Sequence, residues 1–377
     1  MKLKIPLFKI YSDEDDIESV TEIIRSGSHW ATGSQIQQFE EELSEYIGTK
    51  YAVTFNSGTS ALHALLLAHD IKQNDEIIVP SFTFIATANA PLFVGAKPVF
   101  AEIEDTTYGL DPEDVKEKIT SKTKAIIPIH YGGSPCLIRE LKEIADDYNL
   151  LLIEDNAESM GAKIEGKKLG TFGDSALLSF CQNKVISTGE GGAIVTDSRD
   201  IYEKLKLIRS HGRLDTQDYF STNEYLDYIT LGYNFRMPTM CAALGSSQLR
   251  KIDDIIKMRR DSASYLRENL PKNDIIIPDL PSDYYHVHQL FTIRVKENLR
   301  DSLMNYLLDN GIMSKVYFDP IHLTYFYQKE FGYKKGDLPV TEEISNQVLS
   351  LPIYPAMTKM EMDYIVENIK EFLKVKE

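Results

Sequence analysis

Lys184 lies in a glycine-rich bend, Ser179-Phe-Cys-Gln-Asn-Lys-Val-Ile-Ser-Thr-Gly-Glu-Gly-Gly192, that leaves an apolar strand and turns over on its glycines. An amine is a weak nucleophile while protonated. A lysine that does covalent work therefore needs a partly desolvated site beside an aldehyde cofactor such as pyridoxal phosphate. A solvated loop lysine is the ordinary alternative, and the rest of the chain has to decide between them.

Three other short segments carry complementary chemistry. Asn56-Ser-Gly58-Thr59-Ser60 opens a helix with small residues, and free backbone N–H groups at a helix start bind phosphate; a plain N-cap is the alternative. Pro80-Ser-Phe82-Thr-Phe84 offers rings that could stack on a planar cofactor or pack in the core. Glu154-Asp155-Asn-Ala-Glu158 ends an apolar run with carboxylates. Asp155 could pair with a pyridine nitrogen, since a nearby anion favours the protonated, electron-withdrawing ring, or it could cap a helix. Ser179, five residues before Lys184, could give its hydroxyl to a phosphate.

These segments work together only if the fold brings their ends to one place. Apolar runs at 51–55, 76–79, 97–100, 125–129, 150–153, 176–180 and 193–196 predict strands, with helices between several of them at 59–68, 111–119 and 137–148. That alternation predicts an α/β fold with a mostly parallel seven-stranded sheet covered on both faces, where ligands sit beyond the carboxyl ends of the strands. Pro128 is awkward inside its run, because proline cannot donate to a ladder. Ahead of the sheet, 13–26 and the segment from Gln35 read as amphipathic helices, joined by a turn that holds the only tryptophan, Trp30. A long helical region, 237–270, leads into a small C-terminal α/β unit with a strand at 288–295 and helices at 300–310 and 360–375. The division expected is a large domain, residues 1–250, and a smaller one, 251–377.

Composition narrows the class. The 377 residues carry 57 acidic against 41 basic side chains, a net charge of −16, which argues against nucleic acid as a partner and requires any anionic ligand to be caught by local donors. Three cysteines, Cys136, Cys181 and Cys241, are far apart with no metal-ligand spacing, so neither a disulfide framework nor a metal site is expected. No run of eighteen apolar residues and no signal-peptide pattern at the N-terminus is found, and a cytoplasmic protein without membrane contact is expected.

Taken together, Trp30 to Gly33 with Phe39-Glu40, Asn56 to Ala61, Pro80 to Phe84, Glu154 to Glu158, Ser179-Phe180 with Lys184, Gly189 to Gly192, Arg209-Ser-His-Gly212, Gly232 to Met237 and Leu349 to Tyr354 resemble the DegT/StrS family of sugar aminotransferases. That family has the aspartate aminotransferase fold (fold type I) of pyridoxal-phosphate enzymes. The resemblance implies that Lys184 forms the internal aldimine, Asp155 meets the pyridine nitrogen and Glu158 lies near the phenolic oxygen. It implies that Gly58, Thr59 and Ser179 hold the phosphate, that Phe84 stacks on the ring, and that Asn234 reaches the phosphate of a neighbouring subunit in a homodimer with shared active sites. Relatives that dehydrate 4-keto-6-deoxy sugars carry histidine at the lysine position, so Lys184 favours transamination.

The family's usual amino donor is glutamate and its acceptor a nucleotide-linked keto sugar, with the cofactor passing through its pyridoxamine form. Arg213, Arg236 and Lys315 are candidate pyrophosphate donors, and Trp30, Tyr317 and His322 candidate sugar contacts. The stretch 179–192 resembles the perosamine-synthase branch, which uses a GDP-linked 4-keto sugar. A cyclitol aminotransferase, a sugar dehydratase and a catalytically silent regulatory homologue are the alternatives.

Overall fold

A computed structural model of the chain describes residues 4–213, 223 and 225–376. Seven strands form the central sheet: β1 (Tyr51–Phe55), β2 (Glu76–Pro80), β3 (Lys97–Ala101), β4 (Thr123–Ile126), β5 (Leu151–Asp155), β6 (Ser175–Ser179) and β7 (Gly192–Thr196). Their spatial order is β1-β7-β6-β5-β4-β2-β3, and β7 alone runs antiparallel to its neighbours. Because side chains alternate across a strand, each strand feeds two cores. Ala52, Ile78, Leu152, Leu178 and Val195 enter one; Val53, Val79, Ile153, Leu177 and Ile194 enter the other. Both faces are therefore buried, as a parallel sheet requires.

Two local departures from the expected elements have clear causes. β4 stops at Ile126, and Pro128 follows it as an acceptor: its carbonyl takes the amide of Asp155 at 2.9 Å, so the proline contributes the one backbone group it has. The expected long helix is two, Thr239–Arg250 and Ile252–Asn269, broken at Lys251. The Lys251 ammonium pairs with Asp13 and Asp16, and Asp16 also accepts from Ser247 Oγ and Gln248 Nε2 at 2.7 Å each. These bonds tie the N-terminal helix Glu14–Ser26 across the break.

The C-terminal layer is a three-stranded antiparallel sheet of β8 (Ile275–Ile276), β9 (Phe291–Val295) and β10 (Val348–Leu351), with β9 in the middle. It shares a core with helices Ile252–Asn269 and Lys359–Lys376 and also with Ile5, which bridges to Ile312. The beginning of the chain thus packs with its end. β9 starts three residues later than the sequence pattern suggests, because the amides of Val287 and Leu290 go instead to the carbonyls of Gly133 and Gly132 in the central layer, each at 3.0 Å.

Glu154 anchors the end of β5 from within. Its carboxylate is fully buried and accepts from His130 Nε2 at 3.1 Å and from the amides of Gly170, Phe172 and Gly173 at 2.7–2.8 Å. Burial alone would raise its pKa, but His130 and the backbone donors outweigh that and hold it below the usual carboxylate range. A depressed folded pKa contributes stability above the unfolded value and loses it as pH falls through the folded one. Glu154→Ala is expected to cost about 3–5 kcal/mol near neutral pH, in line with breaking a buried pair. In denaturant titrations the gap to wild type should narrow as pH falls through the carboxylate range.

Candidate active site

The carboxyl ends of β1, β5 and β6 converge as the parallel topology demands. Ser57 caps the helix Gly58–Ala68: its Oγ accepts from Ser60 N at 3.1 Å and its carbonyl from Ala61 N. The amides of Gly58 and Thr59 precede the first intrahelical bond and remain available as donors. Gly192, opening β7, lies against this helix start so closely that a Cβ there would meet Gly58 N at 2.6 Å. Ser179 faces it from β6, with its Oγ 3.4 Å from where a Gly58 Cβ would stand. A helix start with free amides beside a serine hydroxyl is a phosphate cradle.

Lys184 sits in a loop closed at its base by Phe180 N to Gly191 O and Thr188 N to Phe180 O, both 3.0 Å, and pinned by buried Val185 and Ile186. Gly189 turns the loop at φ +82°, a conformation that favours glycine. The Lys184 side chain is 13% exposed and its Nζ lies 3.3 Å from Glu158 Oε1. The other oxygen of Glu158 accepts from Gly132 N at 2.9 Å.

Asp155 is buried at the end of β5. Thr87 Oγ1 donates to its Oδ2 at 2.8 Å and Ala157 N to its Oδ1 at 3.2 Å. Burial pushes its pKa up, against the opposing effects of Thr87, the Ala157 amide and the charge of Lys184. A buried carboxylate held by neutral donors is suited to receive a cation.

Of the two rings in the aromatic loop, Phe82 is fully buried while Phe84 is 59% exposed, so Phe84 is the one available for stacking. Tyr317 lies within electrostatic reach of Glu158, the partner of Lys184. Burial and the Glu158 charge raise its hydroxyl's pKa, and a hydrogen bond with the Asn183 side chain opposes them. Lys315 is exposed, with its Nζ 5.2 Å from the Tyr317 ring centre.

The remaining expected residues differ in their surroundings. Trp30 is half exposed, with its indole N–H donated to Ile23 O at 3.0 Å. Arg213 is buried and, with Arg236, Arg209 and Lys50, lines a cavity of about 520 Å³ beside Gly33. Asn234 is exposed; its carbonyl accepts from Asn56 Nδ2 at 3.4 Å, and among the described residues no hydrogen bond joins its side chain to Gly58, Thr59 or Ser179. His322 is the clearest correction. It is wholly buried, with Nδ1 2.7 Å from Ser81 Oγ and Nε2 3.1 Å from Glu342 Oε1, so neither ring nitrogen is left for a sugar. Thr87 and Gly132, which hold the two carboxylates, were not anticipated. Their sole sequence signal is proximity to Phe84 and to the end of β4.

Residues 11–370 match the DegT/DnrJ/EryC1/StrS aminotransferase family. The chain belongs to that family. A GDP-perosamine synthase of Vibrio cholerae is 36% identical over 371 residues, covering 98% of this chain and 99% of that protein. Among solved structures, Helicobacter pylori PseC, an aminotransferase involved in pseudoaminic acid biosynthesis, aligns with a TM-score of 0.91 at 28% identity, over 98% of this chain and 99% of its own. Spr1654 of Streptococcus pneumoniae, solved in a PLP form and a PMP form, aligns with a TM-score of 0.91 at 25% identity; its PLP form covers 98% of this chain and 99% of its own. The protein has the aspartate aminotransferase fold and is a sugar aminotransferase dependent on pyridoxal phosphate.

The residues present fit that cofactor. The cradle at Gly58, Thr59 and Ser179 suits the phosphate, the buried Asp155 a ring nitrogen, exposed Phe84 a ring face, and Lys184 the aldehyde. Two outcomes test this placement. In cofactor-free protein near neutral pH, Asp155→Asn should melt at a higher temperature than wild type, because the raised folded pKa makes the ionised form costly; the difference should vanish below the ordinary aspartate range. His322→Ala should cost about 1–3 kcal/mol in denaturant titration by stranding Ser81 and Glu342, and leave the KM for the acceptor unchanged in steady-state kinetics.

Proposed function

We propose that the protein moves the amino group of glutamate to a nucleotide-linked keto sugar, a 4-keto-6-deoxy hexose, in the making of amino-sugar glycans. The observation that carries this is Lys184 held 3.3 Å from Glu158 in a half-closed site next to Asp155. The similarity to a GDP-perosamine synthase supports the sugar class. Pyridoxal phosphate, when bound, supplies the electron sink for the carbanion chemistry.

Lys184 Nζ takes the proton from the α-carbon of the amino donor in one half of the reaction. In the other half it returns a proton to the sugar carbon that receives nitrogen. Glu158 and the Gly132 amide behind it keep that amine aimed into the site. Asp155, its orientation fixed by Thr87, would meet the ring nitrogen, and Gly58, Thr59 and Ser179 would hold the phosphate end. In a protein of net charge −16, the substrate's pyrophosphate needs local donors, and Arg213, Arg236 and Lys315 are our assignment, with Tyr317 and Trp30 on the sugar.

We infer a homodimer in which each chain completes the other's site, the arrangement that the family resemblance implies through Asn234. The exposed apolar side chains Tyr228, Ile229 and Leu231, beside Asn234, favour the same reading. Free cysteines and the lack, among the described residues, of any helix apolar enough to span a membrane support action in the cytoplasm.

The purified holoprotein should be yellow and bleach on addition of glutamate, and the colour should return with a GDP-, UDP- or dTDP-linked keto sugar. Lys184→Ala should lose turnover by a factor of at least about 10³, the scale of removing a positioned acid–base group together with its covalent role. Bleaching by glutamate without recovery on any of the three sugars would refute the acceptor class.

A further inference from the structure

We propose that Gln289, a residue of the C-terminal layer, is a positioning residue for Lys184, holding the peptide plane from which the lysine projects. The inference rests on the reading that Lys184 carries the amino-transfer chemistry. Gln289 is 3% exposed and immediately precedes Leu290 and β9. Its Nε2 donates to the carbonyl of Asn183. That carbonyl and the Lys184 N–H belong to one peptide unit, and the N–H donates to Cys181 O at 2.9 Å. The plane is thus held at both ends, and its orientation sets the direction of the Lys184 Cα–Cβ bond.

These contacts close into a ring. Leu290 N donates to Gly132 O, Gly132 N to Glu158 Oε2, Glu158 Oε1 meets Lys184 Nζ, and the adjoining Asn183 returns to Gln289. The lysine is therefore gripped through its backbone and its ammonium by groups referenced to the same short segment, 287–290. Fold stability does not account for this choice of side chain. Among the described residues the buried Gln289 Oε1 finds no hydrogen-bond partner, a desolvation cost that a leucine of similar volume would avoid. The amide's return lies in directing Asn183.

The test uses full-length Gln289→Leu and Gln289→Glu. The leucine variant should melt close to the wild-type temperature, since removing the unpaired Oε1 offsets the loss of the donor to Asn183. In cofactor-free protein its Lys184 amide should exchange with deuterium about tenfold faster than wild type, since loosening the carbonyl end frees the other. In the holoenzyme, single-turnover rates should fall about tenfold in both the glutamate and the sugar half-reactions, because one lysine serves both, with each KM changed less than about twofold. The glutamate variant should show the same defect at high pH and recover as pH falls, since only a protonated carboxyl can donate to the Asn183 carbonyl. Unchanged amide exchange, unchanged rates, or a loss confined to the sugar half-reaction would overturn the assignment. Wild-type protein that forms no chromophore would instead refute the functional reading, and the exchange measurement would still decide whether the clamp exists.

Discussion

The ion pair between Lys184 and Glu158 is the constraint on which the rest of the site depends. Two charges removed from water are costly unless their remaining hydrogen-bonding capacity is met, and here the second oxygen of Glu158 takes the Gly132 amide. The pair can form only because β4, β5 and β6 are neighbours in the sheet. The segments that follow them deliver Gly132, Glu158 and Lys184 to one spot. A crossover placing another strand between β5 and β6 would separate the lysine from its counter-ion.

The same sheet separates two jobs for adjacent carboxylates. Glu154 and Asp155 point to opposite faces of β5. Glu154 turns inward to a ring of backbone donors and His130 and acts as an internal brace. Asp155 turns to the other face, where, among the described residues, the Thr87 hydroxyl and the Ala157 amide hold it and burial makes its charge expensive. A cationic ring nitrogen placed there would relieve that expense, so on the proposed placement Asp155 would contribute to the cofactor's affinity. The proposed phosphate cradle is built from helix amides and a serine, local donors of the kind an anion needs in a chain of net charge −16.

What could be read from the sequence was set by how local the signal is. The strands show as short apolar runs and the capped helix start as Ser57-Gly-Thr, because each depends on neighbouring residues. The same holds for Asp155 and Lys184, which terminate strands or follow them within a few positions. The role of His322 was not legible, since a histidine's burial depends on Ser81 and Glu342, both distant in sequence. The delayed start of β9 was hidden for the same reason. Its alternating pattern is that of a strand from His288 onward, yet Val287 and Leu290 are drawn off by carbonyls more than 150 residues earlier. The helix break at Lys251 carries no glycine or proline and is set by Asp13 and Asp16 from the other end of the chain.

The central claim is that Lys184, and no other lysine, binds the cofactor covalently. The most direct measurement is borohydride reduction of the protein loaded with pyridoxal phosphate, followed by proteolysis and mass spectrometry of the peptides. The account predicts one phosphopyridoxyl adduct, on the peptide containing Lys184. An adduct on Lys315 or another lysine with Lys184 unmodified, or no adduct at saturating cofactor, would contradict it.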